Sequence, residues 1–243
     1  MGQRRIAVII FLLLLASALS GCLKDVEDEE TEGEPGVDVP QIHDGGEFVI
    51  MNLGVTFGSW NHSTNRSGDF MFSKGPSKVF LEFGAVVNSN EGGTKELPTF
   101  EYLLDPEAEV FAIAEGTVTR LVYQEDTEDY EFSVRSNDDS KFTVEYDHVT
   151  NITVAEGDVV QPGDILGNPG TWSSSLGRFE IMISNRGSFH CPFKFFDDGL
   201  LEQYQAHISQ LMEDWETYRD DSSIYDETEH VFPGCRMYKM EQY

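Results

Sequence analysis

Cysteine is scarce: the 243 residues hold three, Cys22, Cys191 and Cys235, and none stands in a Cys-x-x-Cys pair. A thiolate metal site or dithiol redox centre therefore has no support. Positive charge is short as well, with 16 Lys and Arg against 44 Asp and Glu and a formal net charge of -28. Nucleic acid and anionic lipid surfaces both need cations to release counterions or meet headgroups, so neither is an expected partner. Histidine is thinly spread. None lies between His62 and His148, and His43, His62, His190, His207 and His230 show no paired spacing of the kind a metal site uses.

Apolar residues are plentiful, at 40% hydrophobic and 12% aromatic, enough for one core and against disorder throughout. Arg4 and Arg5 precede the run IAVIIFLLLLASALS, which is too short for a membrane span and is read as a secretory signal over 1–21. Its end, Leu19-Ser20-Gly21-Cys22, resembles the lipobox of prokaryotic lipoproteins. That resemblance implies a lipidated Cys22 and a chain exported and anchored to the outer face of the cytoplasmic membrane; an ordinary signal peptide or uncleaved anchor is the alternative. Residues 22–44, acidic and without apolar periodicity, are expected to form a solvated tether. If Cys22 carries lipid, Cys191 and Cys235 are left as the one pair available in an oxidising setting, and a disulfide clasping the C-terminal tail is expected, with two buried thiols as the alternative.

From Gly45 onward short apolar or alternating runs, such as KVFLEFGAVV, YEFSVRS, KFTVEYDHV and RFEIMIS, are separated by NSNEGG, SNDDS, VQPGD and NPG. The pattern predicts a mainly β body with tight turns at the breaks. One helix stands out near the C-terminus, where Leu201, Tyr204, Ile208, Leu211, Trp215 and Tyr218 recur at spacings of three and four. Its apolar face is expected to complete the core from outside the sheet. Asn61, Asn65 and Asn151 head Asn-x-Ser/Thr patterns and are candidate glycosylation acceptors, although Asn is also a common turn residue.

Five stretches stand in order: EVFAIAEGTVTRLVY, FTVEYDHV, ITVAEGDVVQPGDILGNPGTW, GRFEIMI and NRGSFHCPFKFF. Together, over about residues 95–198, they resemble the LytM/lysostaphin-type zinc peptidase domain. The resemblance implies an antiparallel barrel-sandwich hybrid, here with additional N-terminal strands over 45–94 and a C-terminal helix and tail over 199–243. It also implies a groove in which a His, an Asp four residues later and the second His of a His-x-His motif hold zinc, leaving one position open for an activated water. In the family such a groove cleaves peptide bridges of peptidoglycan.

Carried onto this chain, the first His position falls on Leu97, the Asp position on Glu101, and the His-x-His pair on Leu176 and Arg178. His148, in Tyr146-Asp147-His148, keeps the identity of a further family histidine that assists the reaction. Leu97 has no lone pair and Arg178 carries a permanent cation, so zinc loses two of three anchors and no cofactor is expected. Arg178 is expected to pair with Glu101 and keep the groove's shape without catalysis. The expectation is a non-catalytic module of the cell envelope that binds a peptide, glycan or protein partner. A different class, an active zinc metalloendopeptidase using Glu101, His148 and a residue such as His190, is the alternative. A third is a biotinyl/lipoyl-like adaptor, disfavoured because Lys141 introduces a strand and not the tight hairpin tip such carriers need.

Overall fold

The computed structural model describes residues 48–88, 92–139 and 141–241. The signal segment 1–21, Cys22 and the acidic stretch 22–44 lie outside the described residues. Short strands open the fold: β1 (Trp60–Asn61), β2 (Arg66–Ser67), β3 (Phe70–Met71), β4 (Phe80–Leu81), β5 (Val86–Asn88) and β6 (Thr94–Glu96). Then come β7 (Phe100–Leu104), β8 (Val110–Phe111), β9 (Gly116–Gln124), β10 (Asp129–Arg135), β11 (Thr143–Thr150), β12 (Val159–Val160), β13 (Ile165–Ser173), β14 (Leu176–Asn185) and β15 (Ser188–His190). Helix α1 (Leu201–Arg219) and β16 (Lys239–Glu241) close the chain.

The strands make one open antiparallel sheet in the order β1-β2-β3-β7-β14-β13-β11-β10-β9-β12, with β11 also paired to β14. The protein is thus mainly β, as its alternation predicts. Strand β14 shows why. Phe179, Ile181 and Ile183 turn inward and are fully buried, while Arg178, Glu180 and Met182 occupy the opposite face. The inward rings of β7, β14, β11 and β10 stack across the sheet, from Tyr102 to Phe179 (6.1 Å) to Tyr146 (6.2 Å) to Phe132 (5.2 Å). Such cross-strand aromatic pairs pin register. Pinned register on one face fixes the polar row on the other.

Segments 48–96 both extend and cover this sheet. Strands β3 and β4 pair with β7, and the separate β5–β6 hairpin stands beside it, so Val87, Lys95 and Leu97 wall a groove over Glu101 and Arg178. Helix α1 buries Ile208, Leu211, Met212 and Trp215, and Trp215 Nε1 donates to the Ser77 carbonyl at 3.2 Å. Cys191 and Cys235 form a disulfide, both fully buried, which ties the tail to the end of β15.

One break in the sequence is not a turn. Asn168-Pro169-Gly170 runs inside β13, with Pro169 opposite Val149 and Gly170 opposite Arg178. Pro169 has no amide proton to give, and it stands where β13 changes partner, from β11 at Asn168 and Pro169 to β14 at Gly170. The apolar stretch from Val110 is likewise two strands, β8 and β9, separated at Ala112–Glu115.

Candidate functional site

Glu101, Glu180 and Asp147 stand directly opposite one another on β7, β14 and β11. Partners across a sheet project to the same face, so three carboxylates form a row on the face away from the aromatic stack. Arg178, two residues before Glu180, joins the row. Glu101 and Glu180 are 7% and 6% exposed, so their charges are desolvated.

Arg178 holds the pair together. Its terminal nitrogen bonds Glu180 and approaches Glu101 Oε2 at 3.3 Å, and its Nε lies 3.0 Å from Glu101 Oε1, an ion-pair contact without hydrogen-bond alignment. Burial and the neighbouring Glu180 charge push the Glu101 carboxyl up to about 7, against the pull of Arg178. Glu180 shares the burial, but His148 and Arg178 outweigh it and hold its carboxyl below the ordinary range. Two like charges sharing one cation titrate as a unit, with the proton residing on Glu101.

His148 reaches this row through a bulge. Between the pairs Tyr130–Val149 and Phe132–Tyr146, β11 carries one residue more than β10, and His148 sits at φ 59°. The extra residue breaks the alternation, so consecutive Asp147 and His148 come to the same cluster. His148 Nδ1 lies 2.7 Å from Asp129 Oδ2, which fixes the tautomer with Nδ1–H donating and leaves Nε2 facing Glu180 Oε1 at 3.6 Å and Asp147 Oδ2 at 3.7 Å. Burial alone would depress the imidazole, yet Glu180, Asp147 and Asp129 together hold it above its ordinary value. Asp129 is itself 1% exposed and is anchored by Thr127 Oγ1 at 2.5 Å. Gly170 packs so close that a Cβ there would meet Asp129 Oδ2 at 2.6 Å and His148 at 3.1 Å.

The structure brings Leu97, Glu101 and Arg178 to one groove of about 290 Å³, with Leu81, Val87 and the half-exposed Trp172 as its apolar walls. Leu97 is buried and offers hydrocarbon only. A guanidinium lodged between Glu101 and Glu180 occupies the corner where a third ligand would have to donate electrons, so these residues do not fit a zinc ion. His148 adjoins the cluster through Glu180. His190 does not: it packs against Phe142 and Phe195 at 5.6 and 5.5 Å, and burial pushes it down to about 4.

The other histidines serve elsewhere. His62 packs on Trp60, His207 stacks on Phe57, and His230 faces buried Glu82 at 3.8 Å; His43 lies outside the described residues. Lys141 is an exposed residue at φ 63° in the β10–β11 connection. Asn61, Asn65 and Asn151 are exposed; Asn61 Oδ1 accepts from Ser63, and Asn65 and Asn151 adopt φ 55° and 46°, a left-handed conformation that Asn tolerates. Sequence reasoning missed Asp129 and Glu180. Glu180 left one signal, a carboxylate inside the apolar run FEIMI, whereas buried Asp129 left none.

An open antiparallel sheet with a groove and a His-carboxylate cluster over its middle strands is a peptidase-like β-domain. Residues 100–187 match the model of Peptidase family M23, so this segment is similar to an M23 domain. Similar solved structures include lysostaphin in solution (14% identity, TM-score 0.38, covering 60% of this chain and 58% of that one). The catalytic domain of the antimicrobial peptidase lysostaphin from Staphylococcus simulans is 18% identical, with TM-score 0.35 over 42% of this chain and 76% of that one. Helicobacter pylori Csd3 is 12% identical, with TM-score 0.42 over 81% and 48% respectively. At these TM-scores the likenesses carry no further argument, and the chain spans less than two thirds of the first lysostaphin structure's length. No curated protein matches the chain.

Proposed function

We propose that this protein is an exported lipoprotein, held to the outer face of the cytoplasmic membrane through Cys22, whose M23-like domain binds an envelope peptide, glycan or protein partner without cleaving it. One observation carries the reading: Arg178 stands where the family resemblance calls for a metal-ligating histidine, and it is bound to both Glu101 and Glu180. A fixed cation in that corner repels a divalent ion and neutralises the carboxylates that would otherwise attract one. The groove survives, with Trp172, Leu81 and Val87 offering apolar surface and Glu101 and Arg178 offering polar partners at its floor. Such a mix of apolar walls and few convergent polar groups suits ligand binding.

The test is metal analysis of the purified full chain beside a peptidoglycan and peptide cleavage assay. The expected result is no stoichiometric zinc and no hydrolysis. Tightly held zinc together with hydrolysis abolished by a chelator overturns the reading.

A specific observation favours a second reading, an active metalloendopeptidase with a displaced site: Asp129, Asp147 and His148 each offer a ligand atom, all within 4.8 Å of one another. Two carboxylates and an imidazole are chemically suited to zinc, but a metal there would compete with the 2.7 Å His148–Asp129 hydrogen bond. On this reading zinc is bound by the wild type and lost in Asp147→Asn.

A further inference from the structure

A shallow hollow of about 530 Å³ lies on the sheet, lined by residues of β9, β10, β11 and β14 and of the loops at their ends, and none of these residues lines the groove. Its cations are Arg120, Arg135, Lys141 and Arg186, all exposed. Thr143 sits between Arg135 and Ser184 in register, so a guanidinium and two hydroxyls stand in one row across three strands. Arg186 and Gly187, at φ 50° and 81°, make the two-residue turn from β14 to β15. Asn is the usual first residue of such a turn, and Arg stands in its place.

The pairing of the cations is what singles the hollow out. Among the described residues, nearly every other Lys and Arg is held by a carboxylate, a carbonyl or an aromatic ring. Within the hollow Arg120 is bound to Glu131 at 2.7 Å. Arg135, Lys141 and Arg186 have no carboxylate, carbonyl or ring partner, and outside the hollow only Lys95 shares that condition among the described residues. A chain with 44 acidic residues against 16 basic ones has carboxylates to spare. Three free cations gathered in one place are therefore not a shortage of partners. The one acid lining the hollow, Glu145, accepts from Ser133 Oγ, and burial raises its carboxyl.

We propose that this hollow binds a soluble phosphate or short oligophosphate group through Arg135, Lys141 and Arg186, with the Thr143 and Ser184 hydroxyls as further donors. Arginine forks match phosphate oxygens in paired hydrogen bonds, and three cations around one point call for a multiply charged anion more than for a single carboxylate. A membrane headgroup is the weaker source, because the remaining surface of a chain of net charge -28 is repelled by an anionic bilayer. Free anions meet less of that repulsion, since salt at about 0.1 M screens charges more than about 10 Å away.

Inorganic tripolyphosphate titrated into the full chain by calorimetry tests the site. Saturable one-to-one binding is expected, weakened about tenfold or more in Arg135→Gln and again in Arg186→Asn, a substitution that also suits the left-handed turn. Lys95→Gln, the free cation of the other groove, is expected to bind as the wild type does. Absence of saturable binding, an equal loss in Lys95→Gln, or tighter capture of phosphatidylglycerol vesicles or of a poly-glutamate peptide than of tripolyphosphate would each overturn the proposal.

Discussion

Arg178 and Glu101 meet diagonally across the β7–β14 pair, Nε to Oε1 at 3.0 Å, in the groove where the M23 resemblance calls for two metal ligands. Their ion pair is not a surface ornament. Glu101 is buried, a second buried carboxylate competes for the same guanidinium, and the proton balance of the cluster depends on which carboxylate wins. The guanidinium lodged between the two carboxylates thereby makes this corner of the groove a titrating pair.

The first prediction concerns pH. Burial lifts Glu101 from its ordinary 4.5 to about 7, so between those values the native state holds a proton that the unfolded chain has released. Stability must then fall as pH rises through that window and level off above it. Glu101→Gln removes this slope, and at about 1.36 kcal/mol per pKa unit the difference between the two proteins reaches at most about 3 kcal/mol, less whatever Glu180 takes over. Urea unfolding from pH 4 to 8 measures it; parallel curves for the two proteins would refute the assignment.

Removing the cation should do the reverse. Arg178→Met leaves Glu101 and Glu180 facing each other uncompensated in a dry site, a loss of about 3–5 kcal/mol at neutral pH or above by comparison with broken buried pairs. The loss should shrink toward pH 5 as Glu101 takes up its proton. Combining Arg178→Met with Glu101→Leu should recover most of it, because an apolar pair of similar volume needs no counter-charge. Thermal or urea unfolding at both pH values separates these outcomes.

How far the sequence carried this site depends on what kind of pattern each residue belongs to. The mainly β, antiparallel body was legible because β14 alternates and β11 alternates up to its bulge: Val144 and Tyr146 point in, Glu145 and Asp147 out, as Phe179 and Ile181 point in on β14. Arg178 could be placed because it is two residues from Glu180 in that alternation. Asp129 and Glu180 were not legible as site residues, since a carboxylate on the outward face of a strand looks like a solvated one until a bulge or a covering hairpin buries it. His148 was visible as an identity, but its aim was not: a one-residue bulge and φ 59° are properties of strand pairing. Pro169 and Gly170 misled in the opposite sense, as turn residues that the structure uses inside a strand, the glycine because nothing larger fits against Asp129.

That close approach gives a sharper test of the cluster. In Gly170→Ala the new methyl would stand 2.6 Å from Asp129 Oδ2 and 3.1 Å from His148, and neither neighbour can withdraw without stretching their hydrogen bond. A loss of about 1–3 kcal/mol is expected from overpacking, together with a downward move of the His148 titration, since Asp129 is among the groups that raise it. Gly75→Ala, where the nearest atom is 3.8 Å away, should change neither. NMR titration of the His148 ring and urea unfolding report the two effects independently.

The last prediction tests what ties the tail to the domain. Cys191 and Cys235 lie 44 positions apart in the sequence, with the whole of α1 between them. Closing a loop of that length restricts the unfolded chain by about 4 kcal/mol in the loop-entropy account. The Cys191→Ala/Cys235→Ala protein should therefore unfold at markedly lower urea, and reductant should bring the wild type to nearly the same midpoint. The groove should feel the change less than the tail, because Arg178 and Glu101 belong to β14 and β7, which are joined by their own ladder and not through the disulfide. Hydrogen exchange should accordingly show β15, β16 and the end of α1 opening first, while amides of β7 and the first half of β14 stay protected; uniform loss of protection across the sheet would show that the clasp supports the whole fold and not its tail.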